Sequence, residues 1–133
     1  MNHRASKVAA TVTTSVFAAL MMLSGILYLV GPEAIMAGLR ALGYPVYFLK
    51  FLGAAKILGA AALLAPASPR LREWAYAGFT FDMIAAAISH VLTGTVSHAP
   101  PALAALALLM ASYFLRRRAA PERTPFQHAS PGE

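Results

Sequence analysis

The polar positions of this chain fall between long apolar runs, and where they fall inside a run they keep to one side of a helix. Residues 8–30, from Val8 to Val30, carry no charge. At 1.5 Å per residue that run crosses a hydrocarbon core roughly 30 Å thick. Comparable runs follow at 46–65, 73–93 and 99–115. The pattern predicts an all-α protein, a transmembrane four-helix bundle with a short interfacial helix between spans 1 and 2. Gly31-Pro32 ends the first span, and Glu33 to Leu42 forms the short helix. Glu33 suits its positive end, Ile35, Met36, Leu39 and Leu42 can lie on the membrane surface, and Arg40 faces headgroups. Tyr28, Tyr44 and Tyr47 cluster at this level, as an aromatic belt does.

The run at 73–93 organises the rest. On a 3.6-residue helix Ala75, Gly78, Asp82, Ala85, Ala86, Ser89 and His90 share one face, and Phe79, Phe81, Met83, Ile84, Ile88 and Leu92 fall on the other. One side is small with a few polar groups and the other is bulky. A membrane helix has this form when its small side packs on neighbours and its large side meets lipid.

The second span contains Lys50 and Lys56. Its Val, Leu, Ile and Phe residues contribute roughly −4 kcal/mol to insertion, whereas one central lysine costs about 2.5–3.5 kcal/mol and a second nearer the edge somewhat less. Insertion alone is marginal, so another part of the fold must compensate. Gly53, Gly59 and Ala60 share a face with Lys56, which turns that face to another helix. With residues 65 and 73 at one surface, Lys56 and Asp82 both lie roughly 14 Å in along their axes and can meet. Lys50 and His90 both fall toward the opposite surface, near Glu33 and the tyrosines.

Composition narrows the class. The chain has 133 residues, of which 12% are charged and 59% hydrophobic, too little polar material to coat a soluble globule. Without cysteine it has no disulfide framework and no thiol chemistry. The net charge of +6 lies in clusters at the ends of apolar runs, with no nucleic-acid motif, so nucleic acid is not an expected partner. Arg4, Lys7, Arg70, Arg72, Arg116, Arg117, Arg118 and Arg123 fall on one side and Arg40 on the other. By the positive-inside rule both termini are cytoplasmic and the loops at 31–45 and 94–100 are outside. The chain therefore divides into a basic segment at 1–7, a single transmembrane domain at 8–115 and a disordered cytoplasmic tail at 116–133. The first run is too long for a signal-peptide core, and Tyr28-Leu29-Val30-Gly31-Pro32 supplies no cleavage site. Pro66 to Arg72 reads as a polar turn, with the third span starting at Glu73.

Candidate chemistry centres on an intramembrane polar pocket comprising Lys56, Asp82, His90, Lys50, Ser89 and Glu33. Lys56 and Asp82 either form an ion pair that fixes helix register or floor a cavity open to the outer side, where a lipophilic ligand with a polar head docks. His90 can exchange a proton near neutral pH, as oxidation of a quinol requires, or it is a packing residue hydrogen-bonded to Ser89 or a loop carbonyl. No metal site is expected: His98 lies in a proline-bounded loop, no cysteine accompanies it, and His3 and His128 belong to the other side. No phosphate loop, nucleophile elbow or zinc-protease pair is present.

Several motifs carry a resemblance: the Gly-Pro-Glu segment, Ala-Leu-Gly-Tyr-Pro at 41–45, Leu-Gly-Ala-Ala-Lys-Ile-Leu-Gly-Ala at 52–60, Arg-Leu-Arg-Glu-Trp-Ala-Tyr-Ala-Gly-Phe-Thr-Phe-Asp at 70–82, and Ser89-His90. Over roughly residues 10–115 the chain resembles the DoxX-like family of small bacterial membrane proteins. The resemblance implies a four-helix bundle in the bacterial cytoplasmic (inner) membrane. It also implies an association with redox complexes, because the family name comes from a subunit linked to thiosulfate and quinone oxidoreduction. It carries over no catalytic residue. Three functional classes stay open: a quinone-binding component of a membrane oxidoreductase with a redox partner protein, a non-catalytic assembly or stabilising subunit including a homo-oligomer, and a binder of sterol- or lipid-like molecules. In each the lipid bilayer is the immediate partner.

Overall fold

A computed structural model describes residues 2–65 and 68–121. The described chain is all-helical: α1 spans His3–Val30, α2 Glu33–Ala41, α3 Val46–Leu64, α4 Pro69–Leu92 and α5 Pro100–Ala119, with a 3-10 turn at Val96–His98 before α5. Helices α1, α3, α4 and α5 are each long and apolar enough to span a membrane, so the protein is a multi-pass membrane protein surrounded by lipid.

Local chemistry sets the ends of these helices. Asn2 Oδ1 accepts the Ala5 N–H at 2.8 Å, which starts α1 inside the basic segment. Gly31, at φ 74°, closes it by donating its N–H to Leu27 O at 2.9 Å, a left-handed cap that disfavours a side chain. Helix α4 begins at Pro69 rather than Glu73. Proline fits the first helical position because its absent N–H would have been unpaired there anyway. Helix α5 continues through Arg116, Arg117 and Arg118 to Ala119, where the sequence alone points to a tail from 116. The stems of Arg117 and Arg118 remain on apolar helix while their charges reach the surface, Arg116 turns inward to Thr14, and all three charges complement the C-terminal dipole. The rest of that tail, 122–133, lies outside the described residues, as does Pro66-Ala67 of the polar turn.

The four long helices form a ring in which α1 packs on α3 and α5, and α4 closes the circle against the same two. Phe17, Ala18 and Met21 of α1, Ala60 and Leu63 of α3, Tyr76, Phe79 and Met83 of α4, and Leu109 of α5 make one buried core. The Phe17 and Phe79 rings meet edge to face across the ring, centroids 5.1 Å apart. Most of these positions lie in the half of the bundle that holds the N-terminus and the α3–α4 connection.

Two expectations for α4 change here. Phe79 and Met83, assigned to lipid by face, are only 4% and 5% exposed, whereas Phe81 and Leu92 are 74% and 81% exposed. The inward stripe is Tyr76, Phe79 and Met83, displaced around the helix from the small face. In a bilayer both lipid and protein interior are apolar, so bulk alone does not separate them. The small face, in turn, is not packed throughout, because a Cβ on Gly78 would meet nothing within 4 Å. The close approach lies elsewhere. A Cβ on Gly25 would fall 2.7 Å from Gly53 O, and one on Gly53 would fall 2.8 Å from Gly25 O, so α1 and α3 touch backbone to backbone.

This contrast makes one chemical change into two different experiments. Gly25→Ala should cost about 1–3 kcal/mol of stability from forced overpacking, read as a lower unfolding midpoint in mild detergent. Gly78→Ala should be neutral or stabilising by up to about 1 kcal/mol, from helix propensity. Equal effects of the two substitutions would contradict this packing.

Candidate functional site

The fold brings Lys56 and Asp82 together. Lys56 sits in the third turn of α3 and is 4% exposed, and its Nζ donates to Asp82 Oδ2 across the α3–α4 seam. The ammonium also lies 5.5 Å from the centre of the Tyr28 ring and 3.9 Å from Met21 Sδ. Its surroundings are thus a carboxylate, an aromatic face and a polarisable sulfur, which together offset part of its lost hydration. On α4 Asp82 falls between the buried core residues Phe79 and Met83, and Met21 of the same core touches Lys56.

Asp82 borders two cavities. Toward the α2 end of the bundle, the side that the charge distribution predicts to be outside, lies one of about 350 Å³, walled by Leu49, Leu52, Phe48 and Phe81, with Tyr28, Tyr44 and His90 as its further polar groups. Toward the other end lies one of about 230 Å³, lined by Lys56, Gly59, Trp74, Gly78 and Phe79. Asp82, Gly78 and Leu52 are common to both. Residues with little or no side chain on α4, namely Gly78, Ala85 and Ala86, leave this space open. Leu39 and Leu42, at the end of α2 and just beyond it, cover the outer cavity instead of lying flat on a membrane surface.

The rim is held by hydrogen bonds. Ser89 donates to Ala85 O at 2.8 Å, so the Tyr44 hydroxyl, 2.6 Å from Ser89 Oγ, is the donor in that contact. His90 Nδ1 lies 3.0 Å from Thr95 Oγ1. That bond orients the ring and leaves Nε2 without a protein partner among the described residues. The partner is thus a threonine hydroxyl, not Ser89 or a loop carbonyl. The His98 ring lies 6.0 Å from that of His90, and no group of three His, Asp or Glu gathers around a common point among the described residues.

Not every expected residue arrives. Lys50 Nζ donates to Leu29 O, so it caps the last carbonyls of α1 and does not line the cavity. Glu33 pairs with Arg40 on the exposed face of α2. Each has a nearer polar partner at the surface, and entering the cavity would add a desolvation cost with no gain in pairing. Ser89 acts from behind the cavity by positioning Tyr44. Tyr28 and Tyr44, read as belt residues, face inward, and only Tyr47 is largely exposed. Their spacing carried no signal of this, because a belt tyrosine and a cavity tyrosine at one depth look alike in sequence.

Helical ring, short covering helix and intramembrane ion pair together define a small multi-pass bundle with a polar seam between its second and third spans. The chain belongs to the DoxX-like family, whose model matches residues 12–112. Comparisons with curated proteins and with solved structures gave no match.

Because each ion is buried against the other, Lys56→Met or Asp82→Asn alone should cost about 3–5 kcal/mol by leaving one charge unpaired. The exchange Lys56→Asp with Asp82→Lys should recover most of that loss, read as folded yield and unfolding midpoint in detergent. An exchange no better than the single changes would show that the contact contributes nothing as a pair.

Proposed function

We propose that this DoxX-like protein holds the head group of a quinone in the outer cavity between α3 and α4, as a component of a redox complex in the bacterial cytoplasmic membrane with both termini cytoplasmic. The observation that carries the reading is the placement of the ion-paired Asp82 as the polar floor of an otherwise apolar cavity, with Tyr28, Tyr44 and His90 above it. A volume of about 350 Å³ is at the lower end of ligand pockets, roughly 300–1,000 Å³. That suits a ring whose hydrocarbon tail stays in lipid. Phe81 lines the cavity and is 74% exposed, so the mouth faces the bilayer.

Polar groups at two levels favour a ring with oxygen at both ends over a ligand with one hydroxyl. Asp82 and His90 are eight residues apart, about two helical turns. A quinone oxygen accepts from the Tyr28 hydroxyl at the lower level and from His90 Nε2 at the rim when that nitrogen carries a proton, and on oxidation of the quinol each hydroxyl releases a proton to a nearby base. His90 Nε2, without a protein partner among the described residues, is the group at the rim placed to take one. The chain's own residues bind the ring and exchange protons, and the two electrons pass to or from a redox partner protein. The orientation follows from the basic residues, with the cavity end bearing Arg40 alone outside the spans.

Trp74 is the single tryptophan and lines the inner cavity beside Asp82, so its fluorescence reports on ligands at this seam. A short-chain quinone titrated into the purified full-length protein should quench it saturably. Tyr28→Phe and His90→Ala should each weaken binding about 5–15-fold, the loss of one hydrogen bond of about 1–1.5 kcal/mol. Quenching that rises linearly and identically in all three proteins would overturn the proposal.

A further inference from the structure

The opposite end of the bundle holds a second polar cavity that the ion pair does not reach. It measures about 470 Å³ and is bordered by Lys7 of α1, Arg72, Glu73 and Tyr76 of α4, and Arg116 and Arg117 of α5. Behind it runs a buried chain of hydroxyls. Tyr76 donates to Ser112 at 2.8 Å, Ser112 to Thr14 at 2.6 Å and Thr14 to Ala10 O at 2.7 Å, with Arg116 Nε donating to Thr14 Oγ1 at 2.9 Å. Every hydroxyl proton in that wall is therefore committed, and the wall fixes Arg116 in place.

The remaining cations are not committed in this way. Arg72 Nη2 donates to Ala65 O at 2.8 Å, but Arg72 Nε is buried with no hydrogen-bond partner among the described residues. The ion pairs among the described residues are Arg40–Glu33 and Lys56–Asp82, so none of the four cations around this cavity has a carboxylate in contact among those residues. Helix dipoles do not decide the sign of the field here, because α1 and α4 begin at this end while α3 and α5 finish at it. Formal charge decides it, with four cations against the single carboxylate of Glu73 among the described residues that border the cavity. A buried guanidinium N–H without an acceptor, inside a cluster of unpaired cations, calls for an anion with several oxygens.

The cavity continues into an apolar groove between α4 and α5. That groove, about 290 Å³, shares Glu73, Tyr76 and Tyr113 with it and descends past Ala77, Met110 and the exposed Phe114. A free phosphate fills only the charged part, whereas a lipid fills both. We infer that this basic cavity binds the phosphate of an anionic phospholipid, with one acyl chain in the α4–α5 groove. Basic pockets between membrane helices recognise acidic headgroups in this way. The inference is independent of the quinone site, which lies on the other side of the Phe17–Phe79 core.

Native mass spectrometry of the full-length protein in mild detergent tests it, using phosphatidylglycerol, phosphatidylcholine of the same acyl chains, and inorganic phosphate as competitor. Phosphatidylglycerol should be retained preferentially. Arg72→Gln and the exposed Arg117→Gln should each lower that retention about fivefold, the equivalent of about 1 kcal/mol per cation. The double variant Arg4→Gln/Arg118→Gln removes charge at the same end outside the cavity and should leave retention within about twofold. Should that control lose as much lipid as the cavity variants, or phosphatidylcholine bind equally, or millimolar phosphate strip the lipid completely, the assignment is wrong.

Discussion

A lysine and an aspartate halfway across a stack of apolar helices are tolerable there only as partners, and much of this architecture follows from that requirement. Each ion alone costs several kcal/mol to remove from water. The pair fixes the axial level of α4 against α3, because sliding either helix by one turn of about 5.4 Å would part the charges. It also fixes rotation, since both side chains must face the same seam. Tyr28 and Met21 complete the enclosure from α1, so the pair joins three helices although it bonds only two.

With register set there, packing is distributed unevenly. Below the pair, Phe17, Phe79, Leu63 and Leu109 fill the ring. At Gly25 and Gly53 the backbones of α1 and α3 touch, which presses these two helices together and leaves α4 as the helix with room beside it. On α4 Gly78 lies one turn below the pair and Ala85 and Ala86 lie above it, and the missing volume becomes the outer cavity. The same small-residue pattern that makes a close helix contact in one place makes a void in another. The difference lies in the partner: α3 meets Gly25 with a glycine, but meets α4 above Asp82 with Leu49 and Leu52, whose bulk holds the helices apart.

The four spans, the short helix and the meeting of Lys56 with Asp82 were legible because each follows from length, charge and depth along a helix, quantities a sequence contains. Rotation of a helix in an apolar medium was not. Phe79 and Met83 were assigned to lipid, since lipid and protein interior select the same residue types. Charge and depth put Lys50 and Glu33 at the same end of the bundle as His90, but their local partners, Leu29 O and Arg40, depend on tertiary geometry. The Tyr76–Ser112–Thr14–Arg116 chain went unread for a related reason. Its members come from three helices, and only the spacing of Ser112 and Arg116, one turn apart on α5, leaves any trace in the sequence.

The uneven packing also bears on how anything could move through the molecule. The aromatic and methionine layer of Phe17, Phe79 and Met83 separates the outer cavity from the basic end, and Asp82 is held to Lys56 immediately above it. A polar solute crossing along the bundle axis would have to open that layer and break the ion pair together, and each step alone costs several kcal/mol. Entry from the side asks for neither, because the outer cavity is bordered by Phe48 and Phe81, which already face lipid. The shape therefore favours a ligand that reaches the protein through the bilayer and leaves the same way. Transit across the membrane is the less favoured route, and the polar seam between α3 and α4 is better described as a pocket than as a pore.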